Sequence, residues 1–121
     1  MSTGTPALRV GQGIDVHPFS DDPARPLVLG GVTITGEDVR GLAGHSDADA
    51  VAHAIADAVL GAAGLGDLGR HAPDTDPRWA GADSLGILAH VVALAADAGW
   101  TPVNADCTVV AERPRLAPHV P

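Results

Sequence analysis

The sequence predicts an α+β fold, an α/β sandwich in which a mixed sheet carries its helices on one face. Three observations lead there. Short β-type runs at about 8–17, 27–34 and 103–111 enclose two longer stretches with helical apolar spacing. Paired glycines, Gly30-Gly31, separate two apolar triplets in the manner of a tight hairpin. At 121 residues, the chain is the size of one domain that can bury a core.

Taken in order, residues 1–8 read as a disordered tail and 9–121 as one domain, with a first strand from about Leu8 to His17. The stretch from Phe19 to Pro26 holds Ser, Asp and Pro and is a loop. Leu27-Val28-Leu29 and Val32-Thr33-Ile34 form the hairpin arms, and 36–44 is a second loop. The first helix is expected to begin at Ser46 or Asp47, with Val51, Ile55, Val59 and Leu60 at helical spacing and Gly64 as the stop. Asp49, His53 and Asp57 then share one face. Residues 66–77 are Gly- and Asp-rich and read as a connection. A second helix runs from Asp83 or Ser84 to Asp97, closed by Gly99, and a last strand covers Val103 to Ala111. Cys107 alternates with Val103, Ala105 and Val109 and reads as a core residue. Nothing follows the Pro-rich 112–121, so the C-terminal elements are expected to be missing.

Composition narrows the function. A formal charge of −8 argues against a nucleic-acid surface, which needs clustered Lys and Arg. One cysteine permits no intrachain disulfide, and neither a leader nor a spanning segment is visible, so a soluble cytoplasmic protein without a membrane partner is expected. The apolar content is largely alanine, with only Phe19, Trp79 and Trp100 as aromatics. Cores of small side chains often gain stability by oligomerising.

The chemistry gathers at Asp15-Val16-His17, Gly44-His45-Ser46-Asp47-Ala48-Asp49 and His53. On an extended strand Asp15 and His17 project from the same side. With His53 from the helix they make a one-carboxylate, two-imidazole set suited to zinc, leaving a fourth position for substrate. The bland alternative is a hydrogen-bonded Asp–His pair with an unrelated helical histidine.

Several motifs in order resemble the 2-C-methyl-D-erythritol 2,4-cyclodiphosphate synthase family. They are Gly11 to Phe19, Leu29-Gly30-Gly31-Val32, Gly44 to Asp49, Leu65-Gly66-Asp67-Leu68-Gly69, Pro73-Asp74-Thr75-Asp76-Pro77, Gly81-Ala82-Asp83-Ser84 and Ala111 to Leu116. The resemblance implies a phosphorus–oxygen lyase of the non-mevalonate isoprenoid route. The 2-phosphate of 4-diphosphocytidyl-2-C-methyl-D-erythritol 2-phosphate attacks the β-phosphate, closing a cyclic diphosphate and expelling CMP. It implies a homotrimer with sites at subunit interfaces, one Zn²⁺ per subunit on Asp15, His17 and His53, and Mg²⁺ or Mn²⁺ as second metal. His45 is implied to be catalytic. Implied substrate contacts are Asp15, His17, His45, Ser46, Asp67, Leu68, Gly69, Ala72, Pro73, Asp74, Thr75 and Asp76, with Ala111, Glu112, Arg113, Pro114, Arg115, Leu116 and Ala117 around the cytidine phosphate. Arg115 is the natural cation there.

The departures matter. The family usually continues into a further helix and a Thr-Thr-Glu strand, whose Glu holds the second metal; here that ligand is absent, and Ala72 stands where Phe is common. Two other functions compete: an inactive, truncated zinc-binding fragment or binding module of the same family, and a generic zinc phosphohydrolase.

Overall fold

The computed structural model describes residues 7–37, 39–73 and 75–120. The elements in chain order are β1 (Leu27–Leu29), β2 (Val32–Ile34), α1 (Ala50–Ala62), α2 (Leu68–His71) and α3 (Ser84–Asp97), with 3-10 turns at Pro77–Trp79 and Ala117–His119. The fold is α+β. β1 and β2 pair antiparallel, Leu27 against Ile34 and Leu29 against Val32, around a Gly30-Gly31 turn in which both residues have positive φ.

The helices form the centre. α1 packs along α3, and the buried cluster is Ala56, Leu60 and Val91, with Val59, Leu65, Leu68, Leu88 and Leu94 against it. The deepest stripe of α1 is Ala52, Ala56 and Leu60, at i, i+4 and i+8. Of the four residues at helical spacing, Leu60 is fully buried, whereas Val51, Ile55 and Val59 are only partly buried and border an open groove, Val59 while also touching the buried cluster. Small alanines let α1 approach α3 closely, so the larger residues are displaced to the flank.

α1 starts later than the sequence suggested. Its N-cap is Asp49, fully buried at 0% exposure. Asp49 Oδ1 accepts from Ala52 N–H at 3.0 Å and from Gly30 N–H at 2.8 Å, and Oδ2 accepts from Gly31 N–H at 2.7 Å. One carboxylate thus caps the helix and staples the hairpin turn to it. Ala48, in the left-handed region at φ 58° and fully buried, turns the chain between Asp47 and Asp49. The second predicted helix matches α3, capped by Asp83 and followed by Gly99 at φ 91°. Within the expected 66–77 connection, Asp67 caps the single turn α2.

Two expected strands do not form. Among the described residues, neither 8–17 nor 103–111 makes a backbone–backbone hydrogen bond. A strand is defined by its neighbour, and these segments have none among the described residues. The mixed sheet therefore reduces to the hairpin. The first segment nevertheless runs along α1. A Cβ on Gly11 would fall 1.9 Å from the Ala58 carbonyl oxygen, and one on Gly13 the same distance from that of Ala54. Two residues of the segment match four of the helix, about 6 Å by either count, which is the pace of extended chain. Cys107, expected in the core, is exposed, as is every residue from Thr101 to Val110.

Candidate metal centre

Asp15 and His17 leave the glycine-guided segment two residues apart and meet His53 from the second turn of α1. Asp15 Oδ2 lies 2.7 Å from His17 Nε2 and 3.4 Å from His53 Nδ1. The two imidazole rings are 5.5 Å apart between centroids. One ligand atom from each residue falls within 4.8 Å of the others, and all three side chains are partly buried.

The donor set fits a divalent ion. Asp15 Oδ2 is buried and makes no hydrogen bond of proper geometry, despite its two close nitrogens. On the far side of His17, Nδ1 lies 2.7 Å from the Ala43 carbonyl, which can only accept, so Nδ1 carries the proton. In its neutral form His17 then turns the lone pair of Nε2 toward the Asp15 carboxylate 2.7 Å away, a pairing that either a proton or a metal cation between them satisfies. Burial pushes the Asp15 carboxyl up, but the hydrogen bonds and positive charge that His17 and His53 offer it in their protonated forms outweigh this and bring the pKa to about 2. The carboxylate is thus ionised whenever these imidazoles can bind metal.

The triad opens on a cleft lined also by Ile14, Val16, Ala43, Gly44, His45, Ser46, Asp57, Leu68, Gly69, Ala72, Trp79 and Ile87. His45 Nε2 donates to the Asp76 carbonyl at 3.0 Å, tying the 43–46 loop to the 73–77 loop. The Arg25 guanidinium donates to the carbonyls of Leu42 and Ser46 and braces the same loop from behind.

Of the residues expected at the site, Asp15, His17, His45, Ser46, His53, Leu68, Gly69 and Ala72 line this cleft. Ser46 is nearly buried, and its hydroxyl turns inward, 3.2 Å from His53 Nε2 and 3.2 Å from Ser84 Oγ. Asp67 and Asp76 do not line it; their carboxylates accept from Arg70 N–H at 3.0 Å and Arg78 N–H at 2.9 Å as turn caps. Pro73 and Thr75 stand outside the lining, and Asp74 lies outside the described residues. None of Ala111, Glu112, Arg113, Pro114, Arg115, Leu116 and Ala117 reaches the cleft within this chain.

Arg25, Trp79 and Ile87 were not among the residues expected at the site, and Asp57 was expected only to share the His53 face of the helix. Asp57 does cap, accepting from Leu68 N–H at 3.0 Å, and it also borders the cleft. Its i+4 relation to His53 was the available signal.

Fold and site together define an α+β domain with a candidate Asp–His–His metal centre in an open cleft. Residues 8–121 match the YgbB family. A 2-C-methyl-D-erythritol 2,4-cyclodiphosphate synthase of Symbiobacterium thermophilum is 61% identical over 114 residues, covering 94% of this chain and 70% of the relative. The synthase of Geobacillus kaustophilus is 59% identical over 113 residues, covering 93% and 69%. A solved structure of such a synthase, in a CDP-bound form, superposes with a TM-score of 0.80 at 41% identity, over 92% of this chain and 71% of that one. The chain belongs to the 2-C-methyl-D-erythritol 2,4-cyclodiphosphate synthase family. It spans about 70% of the length of these relatives.

Proposed function

We propose that this chain performs the family's reaction, cyclising 4-diphosphocytidyl-2-C-methyl-D-erythritol 2-phosphate with loss of CMP. The observation that carries the reading is the convergence of Asp15, His17 and His53 on the cleft of a chain about 60% identical to named synthases. An oxygen of the 2-phosphate bonds to the β-phosphorus, the bond from that phosphorus to the CMP oxygen breaks, and CMP leaves as a phosphate anion. Such a step forces like charges together, so catalysis is mainly positioning and charge neutralisation. Zinc suits the one-carboxylate, two-imidazole set, and when bound there supplies Lewis-acid neutralisation of the diphosphate.

The chain's own groups do the rest. His45, on the loop braced by Arg25, borders the cleft, and its Nε2–H, held by the Asp76 carbonyl, becomes a donor to substrate when that bond opens. Leu68, Gly69, Ala72 and Trp79 form part of the cleft wall. The 111–117 segment, with Arg115 as its phosphate-binding cation, reaches a cleft only in a homotrimer with interfacial sites. No helix of the described residues is long and apolar enough to cross a membrane.

The test is CMP release by the purified 121-residue chain with this substrate, Zn²⁺ and Mg²⁺. Release that disappears in His17→Ala is expected. A folded, zinc-loaded chain that releases no CMP overturns the assignment of activity to this chain.

A further inference from the structure

Behind the metal centre lies a group of buried polar side chains that the reaction does not use. Ser84, the first residue of α3, is 1% exposed. Its hydroxyl donates to Asp47 Oδ1, its backbone N–H donates to Asp47 Oδ2 at 3.0 Å, and its Oγ lies 2.7 Å from His53 Nε2. Ser46 Oγ, 5% exposed, is 3.2 Å from the same Ser84 oxygen. Ala48 N–H donates to Ser46 Oγ, also at 3.2 Å.

For a neutral His53 and an ionised Asp47 the proton count has one consistent solution. Asp47, as a carboxylate, accepts only, so the single Ser84 hydroxyl proton points to it. Ser84 Oγ is left with two lone pairs and two neighbours, the Ser46 hydroxyl and His53 Nε2, and each must donate. His53 Nε2 therefore carries its proton, and Nδ1 turns a bare lone pair toward Asp15. We propose that Asp47 and Ser84 form a positioning relay that fixes His53 as its Nε2–H tautomer and presents Nδ1 as a ready metal ligand.

The relay also explains the local backbone. Ala48 at φ 58° sends Asp47 toward α3 and Asp49 toward the hairpin, so adjacent carboxylates serve different elements. Its polarity is reversible by an isosteric change. In Asp47→Asn the amide oxygen is claimed by the Ser84 N–H, and the amide NH₂ faces Ser84 Oγ. That oxygen must then accept, its proton turns to His53 Nε2, and His53 takes the Nδ1–H tautomer that cannot bind metal.

The inference rests on the metal reading above, and the experiment separates the two. Long-range ¹H–¹⁵N spectra of the histidine-labelled, metal-free chain at about pH 8 report each tautomer directly. His53 protonated at Nε2 is expected; protonation at Nδ1 overturns the relay, whatever any variant does. Asp47→Asn is expected to shift His53 toward Nδ1–H and to weaken Zn²⁺ binding about 10- to 100-fold in a chelator competition. Ser84→Thr, which keeps the hydroxyl, is expected to retain both. An Asp47→Asn chain with unchanged tautomer and zinc affinity overturns the proposal. If Asp47→Asn does not fold, the wild-type tautomer and the loss of zinc affinity in Ser84→Ala decide it. A wild-type chain with the Nε2–H tautomer but no zinc uptake refutes the metal reading and leaves the relay standing.

Discussion

At the residue scale, Asp15 links the site to pH. Burial raises its pKa, but His17 and His53 bring it down to about 2 from the usual 3.8. The folded state thus holds this proton more weakly than the unfolded state. The resulting stabilisation is complete above about pH 4 and is lost as the pH falls through 3.8 to 2. Denaturant titrations of the metal-free chain between pH 5 and 2 should show wild type and Asp15→Asn converging toward acid; a constant gap would contradict the assignment. The triad itself was legible as D-x-H plus a helical histidine, because strand alternation and helix geometry follow from the sequence. The roles of Asp47 and Ser84 were not. A proton relay between residues 37 positions apart depends on which helices meet, and no local pattern records that.

At the element scale, the clearest dependence is that of α1 on Asp49. Replacing it with Ala removes the cap and takes away the acceptor of the Gly30 and Gly31 N–H groups at the exposed turn. The expected loss is about 2 kcal/mol or more, read as a fall in the denaturation midpoint, whereas Asp47→Ala should leave the hairpin amides protected from exchange. The seam between α1 and the first segment makes a second demand. Gly13→Ala would drive a methyl into the Ala54 carbonyl and should cost about 1–3 kcal/mol, with Gly61→Ala, which meets nothing, as the harmless control. Helix extents and the hairpin were readable from spacing, caps and the glycine pair. The failed strands share one cause: alternation shows that a segment can pair, and pairing also needs a partner.

At the scale of the whole molecule, α1 has two very different sides. One is buried against α3; the other looks into a groove flanked by the 7–15 and 100–110 segments. Along those flanks Leu8, Val10, Val103 and Val110 stand out in water, Val10 at 96% and Val110 at 94% exposure. Apolar surface on this scale marks an association face. Sedimentation equilibrium at micromolar concentration should find the chain above monomer mass, and Val10→Lys with Val103→Lys should shift it down; a monomeric wild type would contradict this. The 8–17 segment carries two of the three candidate metal ligands while making no ladder hydrogen bond among the described residues. It is held by glycine contact with α1, by Arg9 donating to the Ala62 carbonyl at 3.2 Å, and by Arg9 stacking 4.2 Å over Trp100. An ion bridging Asp15 and His17 to His53 would therefore be a clasp as much as a Lewis acid. By mass action, each tenfold rise in free metal above its dissociation constant adds about 1.4 kcal/mol to the closed arrangement. Chelation should open residues 11–17 to protease cleavage first, while the amides of α1 and α3 remain protected from exchange.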